Sequence, residues 1–294
     1  MSDSRYVLVT GASGLLGARV ADRLAVRGWR VRCLVHRHPV SERHEHVSGD
    51  LGDPESLGRA VHGVNAIIHL AGTTHARRAD AYYRTNAGGT KNLIEAAARA
   101  GTGRFVLVST RAIDPGGGAY SRSKGEAEAA LSESEVPHVI IRLPEIYGAG
   151  GVEGVERIIR LAQRSAPIPL VGGEERICPL HVDDALDACE GALTGPDCLG
   201  LTLTIAGDCL ALRDFATTVI SVLDSHSKIV AVPVAVVRLA SKVAHVVPLP
   251  IYPDQLTRLT SPKPAPSADA PRLLGFTPRP LSVGLRSLDP ARVS

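Results

Sequence analysis

Over the first 145 residues, short unbroken apolar runs alternate with stretches whose apolar residues recur at helical spacing. The runs are Tyr6–Thr10, Val31–Val35, Ala66–Leu70, Phe105–Ser109 and Val139–Leu143, rich in Val, Ile and Leu. They lack the in–out alternation of a half-exposed strand, which suits a parallel sheet covered on both faces. Between them, Leu15–Arg27, Ala79–Ala100 and Ala119–Ser134 read as helices. In the first, Leu16, Val20 and Leu24 repeat every four residues and form one core-facing stripe. Strands alternating with helices of this length predict right-handed crossovers and a doubly wound, Rossmann-type α/β fold.

After residue 150 the rhythm changes. A loop at Gly148–Gly151 precedes an amphipathic stretch (Val155–Arg164), a Pro/Gly-rich passage (Pro167–Gly173) and a helix opening at Asp183–Asp184. The last third is irregular and rich in proline. The expected organisation is a dinucleotide-binding domain over 1–150. Residues 151–294 form mainly a smaller, interleaved substrate-binding lobe that returns some segments to the sheet. Val232–Val247 and Leu249–Ile251 are apolar enough to face a non-polar part of a substrate, and core packing or a dimer surface accounts for them equally well.

The sharpest local feature is Thr10-Gly11-Ala12-Ser13-Gly14-Leu15-Leu16-Gly17, between the first strand and the first helix. Gly11 permits a tight turn, Gly14 lets backbone approach a pyrophosphate, and Gly17 lets the helix pack close to the strand. Free N–H groups at the helix start then hold phosphates. The spacing is G-x-x-G-x-x-G rather than G-x-G-x-x-G, but the strand–turn–helix setting is the one such a loop requires. The nucleotide follows from the end of the second strand. An NAD site places a carboxylate there for the ribose 2′-hydroxyl, whereas an NADP site places a cation. Here Val35-His36-Arg37-His38 offers no carboxylate before Glu42. Arg37 can fork onto a 2′-phosphate with His36 assisting, so NADP(H) is favoured over NAD(H). Asp50 in Ser48-Gly49-Asp50-Leu51 either accepts from an adenine amino group or serves as a turn aspartate.

Composition removes other function classes. Of 294 residues, 44% are hydrophobic and 21% charged, which excludes wholesale disorder. The net charge of +3 is spread along the chain and aromatic residues make up 3%, so neither a basic stripe nor a base-stacking platform for nucleic acid is present. The apolar stretch from Ile229 to Tyr252 is broken by Arg238, Lys242, His245 and three prolines, unlike a membrane helix of about 20 apolar residues. Five cysteines without metal-like spacing read as reduced, mostly buried thiols, with no metal site, and the start of the chain lacks a signal-peptide layout. A cytoplasmic protein is expected.

Tyr120-Ser121-Arg122-Ser123-Lys124 places a phenol and an ammonium one helical turn apart on the same face. A neighbouring ammonium and an oxidised nicotinamide favour the phenolate and bring a group with an ordinary pKa near 10 toward working range. Y-x-x-x-K alone is common. Ten residues before the tyrosine, however, Ser109 and Thr110 end a strand at the carboxyl edge of the sheet, where ligands bind in folds of this type.

These motifs, together with G-D-L at 49–51, H-L-A-G at 69–72, N-A-G-G-T-K-N-L at 86–93, R-L-P-E-I-Y-G at 142–148, H-V-D-D-A at 181–185 and L-G-F-T-P-R at 274–279, run over most of the chain. In that order they resemble the short-chain dehydrogenase/reductase superfamily, in its extended branch of NAD(P)-dependent epimerase/dehydratase-like proteins. The resemblance implies Tyr120 as general acid/base, Lys124 as the residue that lowers its pKa and binds the nicotinamide ribose, and Thr110 as the holder of the substrate oxygen. It implies that Ser109 is structural beside it, that Leu70, Ala71 and Gly72 line the cofactor with Leu51, and that Asn86 supports the sheet edge. Pro144 and Ile146 would flank the nicotinamide. His181 is either a substrate-side residue or an interior hydrogen-bonded histidine, and Asp183 is expected to cap its helix. Extended members are often dimers through the helices at 80–100 and 119–134, so a homodimer is implied too.

Departures shape the expected chemistry. The catalytic threonine is followed by Arg111-Ala112 instead of the acidic pair that sugar-nucleotide dehydratases use. The spacing from Thr110 to Tyr120 is short, closed by Asp114-Pro115-Gly116-Gly117-Gly118. Position 177 is Ile where sugar-nucleotide enzymes often place a diphosphate-binding arginine, and Arg176 is one residue off. The expected activity is NADP(H)-dependent oxidoreduction of a small-molecule carbonyl or carbinol. An NAD-dependent sugar epimerase and a non-catalytic NADP(H)-sensing protein are the alternatives.

Overall fold

A computed structural model describes residues 5–152, 154–233, 257–258 and 261–288. The chain opens with β1 (Tyr6–Thr10), α1 (Leu15–Val26), β2 (Arg30–Val35), β3 (Glu45–Ser48), α2 (Pro54–Val61) and β4 (Ala66–His69). There follow α3 (Ala79–Tyr82), a π-helical turn (Tyr83–Gly89), α4 (Thr90–Ala100), β5 (Arg104–Thr110), α5 (Gly118–Ser132) and β6 (His138–Leu143). Next come β7 (Ile146–Tyr147), α6 (Gly154–Gln163), β8 (Ile168–Val171), β9 (Arg176–Ile177), β10 (Leu180–His181), α7 (Val182–Thr194) and β11 (Thr202–Thr204). The chain closes with β12 (Leu210–Ala211), α8 (Leu212–Val222), β13 (Ile229–Val232), α9 (Ala270–Leu274) and α10 (Leu281–Arg286).

Two compact units result. The first comprises 1–143, 186–205 and 262–276. Its sheet has seven strands in the order β11-β6-β5-β4-β1-β2-β3, all neighbours parallel. The chain starts at the centre, winds out through β2 and β3, then returns past β1 through β4, β5 and β6. This reversal makes the β1–β4 boundary the switch point at whose carboxyl end ligands bind. Val7, Leu8 and Val9 of β1, and Ile67 and Ile68 of β4, are fully buried, as strands covered on both faces must be. The Leu16/Val20/Leu24 stripe places Val20 and Leu24 in the interior. A single helix expected over Ala79–Ala100 is instead α3, a π-helical turn and α4. The π-turn carries Asn86-Ala87-Gly88-Gly89, where small side chains let the backbone widen.

The second unit comprises 144–185, 206–261 and 277–294, with a core of Tyr147, Val155, Ile159, Ile168, Leu170, Phe215, Val219 and Leu285 among others. In it, Cys178 and Cys209 form a disulfide, which corrects the expectation of five reduced thiols. The antiparallel pairing of Ile177 with Leu210 brings the adjoining Cys178 and Cys209 together to a Cα separation of 4.0 Å, a neighbourhood that a sequence separation of 31 conceals. Cys33, Cys189 and Cys198 are free and buried, and burial pushes the Cys33 and Cys189 thiols up to about 12. Asp183 does not cap α7 as expected. Asp183 and Asp184 lie in its first turn, where Asp184 accepts from the Arg279 backbone N–H (2.9 Å) and Nε (2.8 Å), and Asp183 from Nη1 (3.2 Å).

No helix of the described residues is long and apolar enough to cross a membrane, and no group of three metal-ligating side chains occurs among them. The apolar segment expected at 232–251 falls from residue 234 onward outside the described residues.

Candidate active site

The turn between β1 and α1 is built on glycine for steric reasons. Gly11 has φ +72°, and a Cβ there would lie 2.6 Å from the Ala71 nitrogen. A Cβ on Gly17 would strike the Gly11 carbonyl, so helix and turn pack backbone on backbone. Gly14 offers no side-chain cap, which leaves the first N–H groups of α1 to a ligand.

Beneath the turn, a buried chain of side chains joins β1, β4 and α4. Thr10 Oγ1 accepts from the Ala71 N–H at 3.2 Å and shares a hydrogen bond with His69 Nδ1 at 2.6 Å. His69 Nε2 shares a second hydrogen bond with Thr90 Oγ1 at 2.9 Å, so a neutral ring donates through one nitrogen and accepts through the other. Complete burial, and secondarily the Lys124 charge, push the His69 imidazole down to about 3, which keeps it neutral. The H-L-A-G motif thus supplies Leu70, Ala71 and Gly72 to the cleft and His69 to its support.

A cleft of about 900 Å³ opens over this turn within the first unit. Gly11, Ser13, Gly14, His36, Arg37, Asp50, Leu51, Leu70, Ala71 and Gly72 line it, as do Leu34, His38, Gly49, Gly52, Thr73, Arg84 and Thr85. Of the expected cofactor residues, Leu15, Leu16, Gly17 and Asn86 lie off its lining. Pro144 and Ile146 belong to the second unit. Asp50 is the one carboxylate among the lining residues. Its Oδ1 accepts from the Gly52 N–H (2.8 Å) and its Oδ2 meets His36 Nε2 (3.0 Å), so it closes a turn and engages the histidine at once. Arg37, His38 and Arg84 add basic side chains to the same walls. Arg84, Thr73 and Thr85 come from the segment around the π-turn, whose unusual winding carried no periodic signal.

At the carboxyl edge, β5 ends in Ser109 and Thr110 and α5 presents Tyr120 and Lys124. Lys124 is 7% exposed and its Nζ donates to the Val108 carbonyl at 3.0 Å. Burial pulls the ammonium down to about 8, with the Glu128 charge opposing that shift. Tyr120 is also 7% exposed, and its ring meets Tyr82 edge-on at 5.9 Å. Thr110 Oγ1 accepts from the Ala112 N–H at 3.1 Å, which leaves its O–H proton to be donated. Asn86 binds Thr73 in both directions, Oδ1 accepting from its N–H (2.7 Å) and Nδ2 donating to its carbonyl (3.1 Å). The same Nδ2 reaches Ser123 Oγ (3.0 Å), which donates to the Tyr120 carbonyl at 2.8 Å. Asn86 therefore ties the cleft loop to the helix that carries the tyrosine.

In the second unit, His181 is buried, its Nδ1 accepting from the Asp183 N–H (3.2 Å) and its ring edge-on to Tyr147. Burial, and secondarily the Arg279 charge, hold its pKa below the ordinary value.

The model of the NAD-dependent epimerase/dehydratase family matches residues 7–206, more than half of the chain. The chain belongs to that family. Over 191 residues it is 39% identical to the ceramide reductase of Caulobacter vibrioides, a stretch covering 63% of this chain and 60% of that protein. Over 247 residues it is 30% identical to the 2-alkyl-3-oxoalkanoate reductase of Stenotrophomonas maltophilia, covering 73% of this chain and 74% of that one. Among solved structures, the UDP-glucose 4-epimerase of Thermotoga maritima, with UDP-glucose, superposes with a TM-score of 0.77 at 19% identity over 96% of each chain, a likeness of fold.

The cleft residues fit an NAD(P)-type nucleotide. The start of α1 has no side-chain cap on its N–H groups, a side chain on Gly11 would collide with Ala71, and His36, Arg37, His38 and Arg84 add basic groups to the lining.

Proposed function

We propose that the protein is an NADP(H)-dependent reductase of a ketone carried on an apolar acyl or alkyl chain. The observation that carries this reading is the site's own division of labour. The cleft is lined by His36, Arg37, His38 and Arg84 against the single carboxylate Asp50, and buried Tyr120 and Lys124 stand on α5. The two relatives named as reductases of a ceramide and of a 2-alkyl-3-oxoalkanoate support the substrate class, since each name denotes a molecule that carries alkyl chains.

When bound, the cofactor supplies hydride to the carbonyl carbon. Tyr120 donates its hydroxyl proton to the carbonyl oxygen, so ketone, hydride and proton give the alcohol. Thr110 donates a hydrogen bond to the same oxygen, where negative charge develops. Lys124, fixed through Val108, holds its remaining N–H groups and its charge beside the tyrosine and the ribose. Ser109 acts structurally. Gly11, Ser13, Gly14, Leu15, Leu16 and Gly17 seat the diphosphate, Arg37 with His36 takes the 2′-phosphate, and Leu51, Leu70, Ala71 and Gly72 line the adenosine side. The second unit serves as the substrate lobe, and the protein acts as a homodimer.

Purified protein mixed with NADPH and a long-chain 3-oxo ester is expected to lose absorbance at 340 nm with stoichiometric formation of the 3-hydroxy product. NADH is expected to be at least about tenfold poorer, the loss of one charge-assisted contact. Retention of stoichiometric NAD+ through purification, with interconversion of sugar nucleotides and no net NADPH consumption, would replace this reading by the epimerase. Nucleotide binding with no turnover on any carbonyl would replace it by the sensor.

A further inference from the structure

The acid–base pair of the proposed mechanism rests on a buried carboxylate that the mechanism does not use. Glu128 follows Lys124 by one turn of α5 and is 6% exposed. Its Oε1 accepts from Ser109 Oγ. Arg142 Nε donates to both of its oxygens at 3.1 and 3.0 Å, and Nη2 donates to Oε2 at 2.5 Å. Ser109 and Arg142 are direct partners in the β5–β6 register. Glu128 therefore straddles two strands at the rung next to Thr110, which pairs with Leu143. One residue back along β5, Lys124 holds the Val108 carbonyl. The helix carrying Tyr120 is thus pinned to β5 at two consecutive residues and to β6 at one, all immediately before Thr110.

We propose that Glu128 is a positioning residue for the reaction, acting through Ser109 and Arg142 to fix Tyr120 and Lys124 against Thr110 and to supply the counter-charge of the buried Lys124 ammonium. The inference rests on the reading of Tyr120, Lys124 and Thr110 as the reacting set.

Two physical arguments support it. Displacing a reacting group by about 1 Å can cost about 10²-fold in rate, so a double pin at this spot bears on chemistry as well as stability. A buried ammonium needs an opposite charge near it, and the groups that face Lys124 are few. On α5 the facing charge is Glu128. From β5 comes the Val108 carbonyl and from β4 the neutral His69, while Glu128 also engages Arg142 of β6. Glu128 is the one carboxylate in that set.

The variant Glu128→Gln keeps the volume and an acceptor for Ser109 but removes the charge. Its kcat is expected to fall about tenfold or more at pH 7 with NADPH affinity little changed, and the alkaline limb of kcat/KM is expected to begin at lower pH. A readout independent of turnover is the pH titration of the Lys124 ε-carbon by NMR in lysine-labelled protein, where the chain has only five lysines to resolve. The Lys124 midpoint is expected to drop in Glu128→Gln. An unmoved midpoint, or a pH profile of unchanged shape scaled only by loss of folded protein, overturns the proposal. Should Glu128→Gln not fold, Ser109→Ala decides: the ion pair and the Lys124–Val108 bond stay while the Glu128–Ser109 pin is lost. A fall in kcat of about threefold or more at constant NADPH affinity supports the proposal, and an unchanged kcat overturns it. Failure of the underlying reading looks different, because Tyr120→Phe would then retain full turnover whatever Glu128→Gln does.

Discussion

At the amino-terminal edge of the parallel sheet, charge is settled within the fold. Glu45 accepts from the Tyr6 hydroxyl (2.5 Å), Arg30 Nη2 (2.7 Å) and Arg32 Nε (2.7 Å), and both guanidinium groups stack on the Tyr6 ring at 4.2 and 4.8 Å. At the carboxyl edge of the same strands, polar groups are held with capacity to spare. Thr110 keeps a hydroxyl proton, Lys124 spends one N–H on Val108, and Arg37 and Arg84 line a cleft with a single carboxylate. The two edges share strands and differ in what the loops bring to them. One edge closes on itself and contributes fold; the other is left incomplete where a ligand would complete it, as the switch point of a doubly wound sheet predicts.

Breaking the carboxyl edge from below has the largest expected effect on stability. Arg142→Ala strands the buried Glu128 carboxylate and is expected to cost about 3–5 kcal/mol, read by chemical denaturation. A loss comparable to that of an ordinary surface variant would contradict the buried-pair account.

The same edge predicts a pH dependence. Between pH 6.5 and about 3 the unfolded chain protonates His69 while the folded chain does not. Unfolding therefore takes up a proton in that window, and stability falls as pH drops through it. Lys124 acts at the other end: between about 8 and 10.5 only the unfolded chain keeps the proton, so stability gains as pH rises there. His69→Gln should flatten the acid slope while lowering stability near neutrality. A variant retaining the full acid slope would remove His69 as its source.

Arg37→Ala sharpens the comparison at the cleft. NADPH affinity is expected to fall about 10-fold or more with NADH affinity unchanged, by fluorescence titration. Equal loss for both nucleotides would move the 2′-phosphate contact elsewhere, with Arg84 the next candidate.

The smallest effect is expected at the settled edge. Glu45→Gln should cost about 1 kcal/mol or less, since its partners are partly exposed, and should leave nucleotide binding and turnover alone.

The legible part of this molecule is the part that local rules govern. The strand–turn–helix around Gly11 and Gly17 could be read because only glycine survives those approaches, and Tyr120 and Lys124 because a helix fixes which residues share a face. Glu128 carried a faint signal of the same kind, a carboxylate one further turn along that face, but its partners Ser109 and Arg142 meet only through the β5–β6 register. His69 was visible as a motif letter, and its two threonine partners lie 59 and 21 residues away. Arg84 was hidden by the π-turn, since a seven-residue segment of wider winding breaks the 3.6-residue period. The Cys178–Cys209 bond depends on the pairing of two-residue strands, and Arg279 reaches Asp183 and Asp184 across some 95 residues. Contacts of that range leave no periodic trace in a single chain.

The account stands on the phenol at position 120. The direct measurement is the single-turnover rate of hydride loss from bound NADPH to a long-chain ketone, in wild-type protein and in Tyr120→Phe, with NADPH affinity measured alongside. A drop of about 10²-fold or more at unchanged affinity is the predicted result, and equal rates in the two proteins would contradict it.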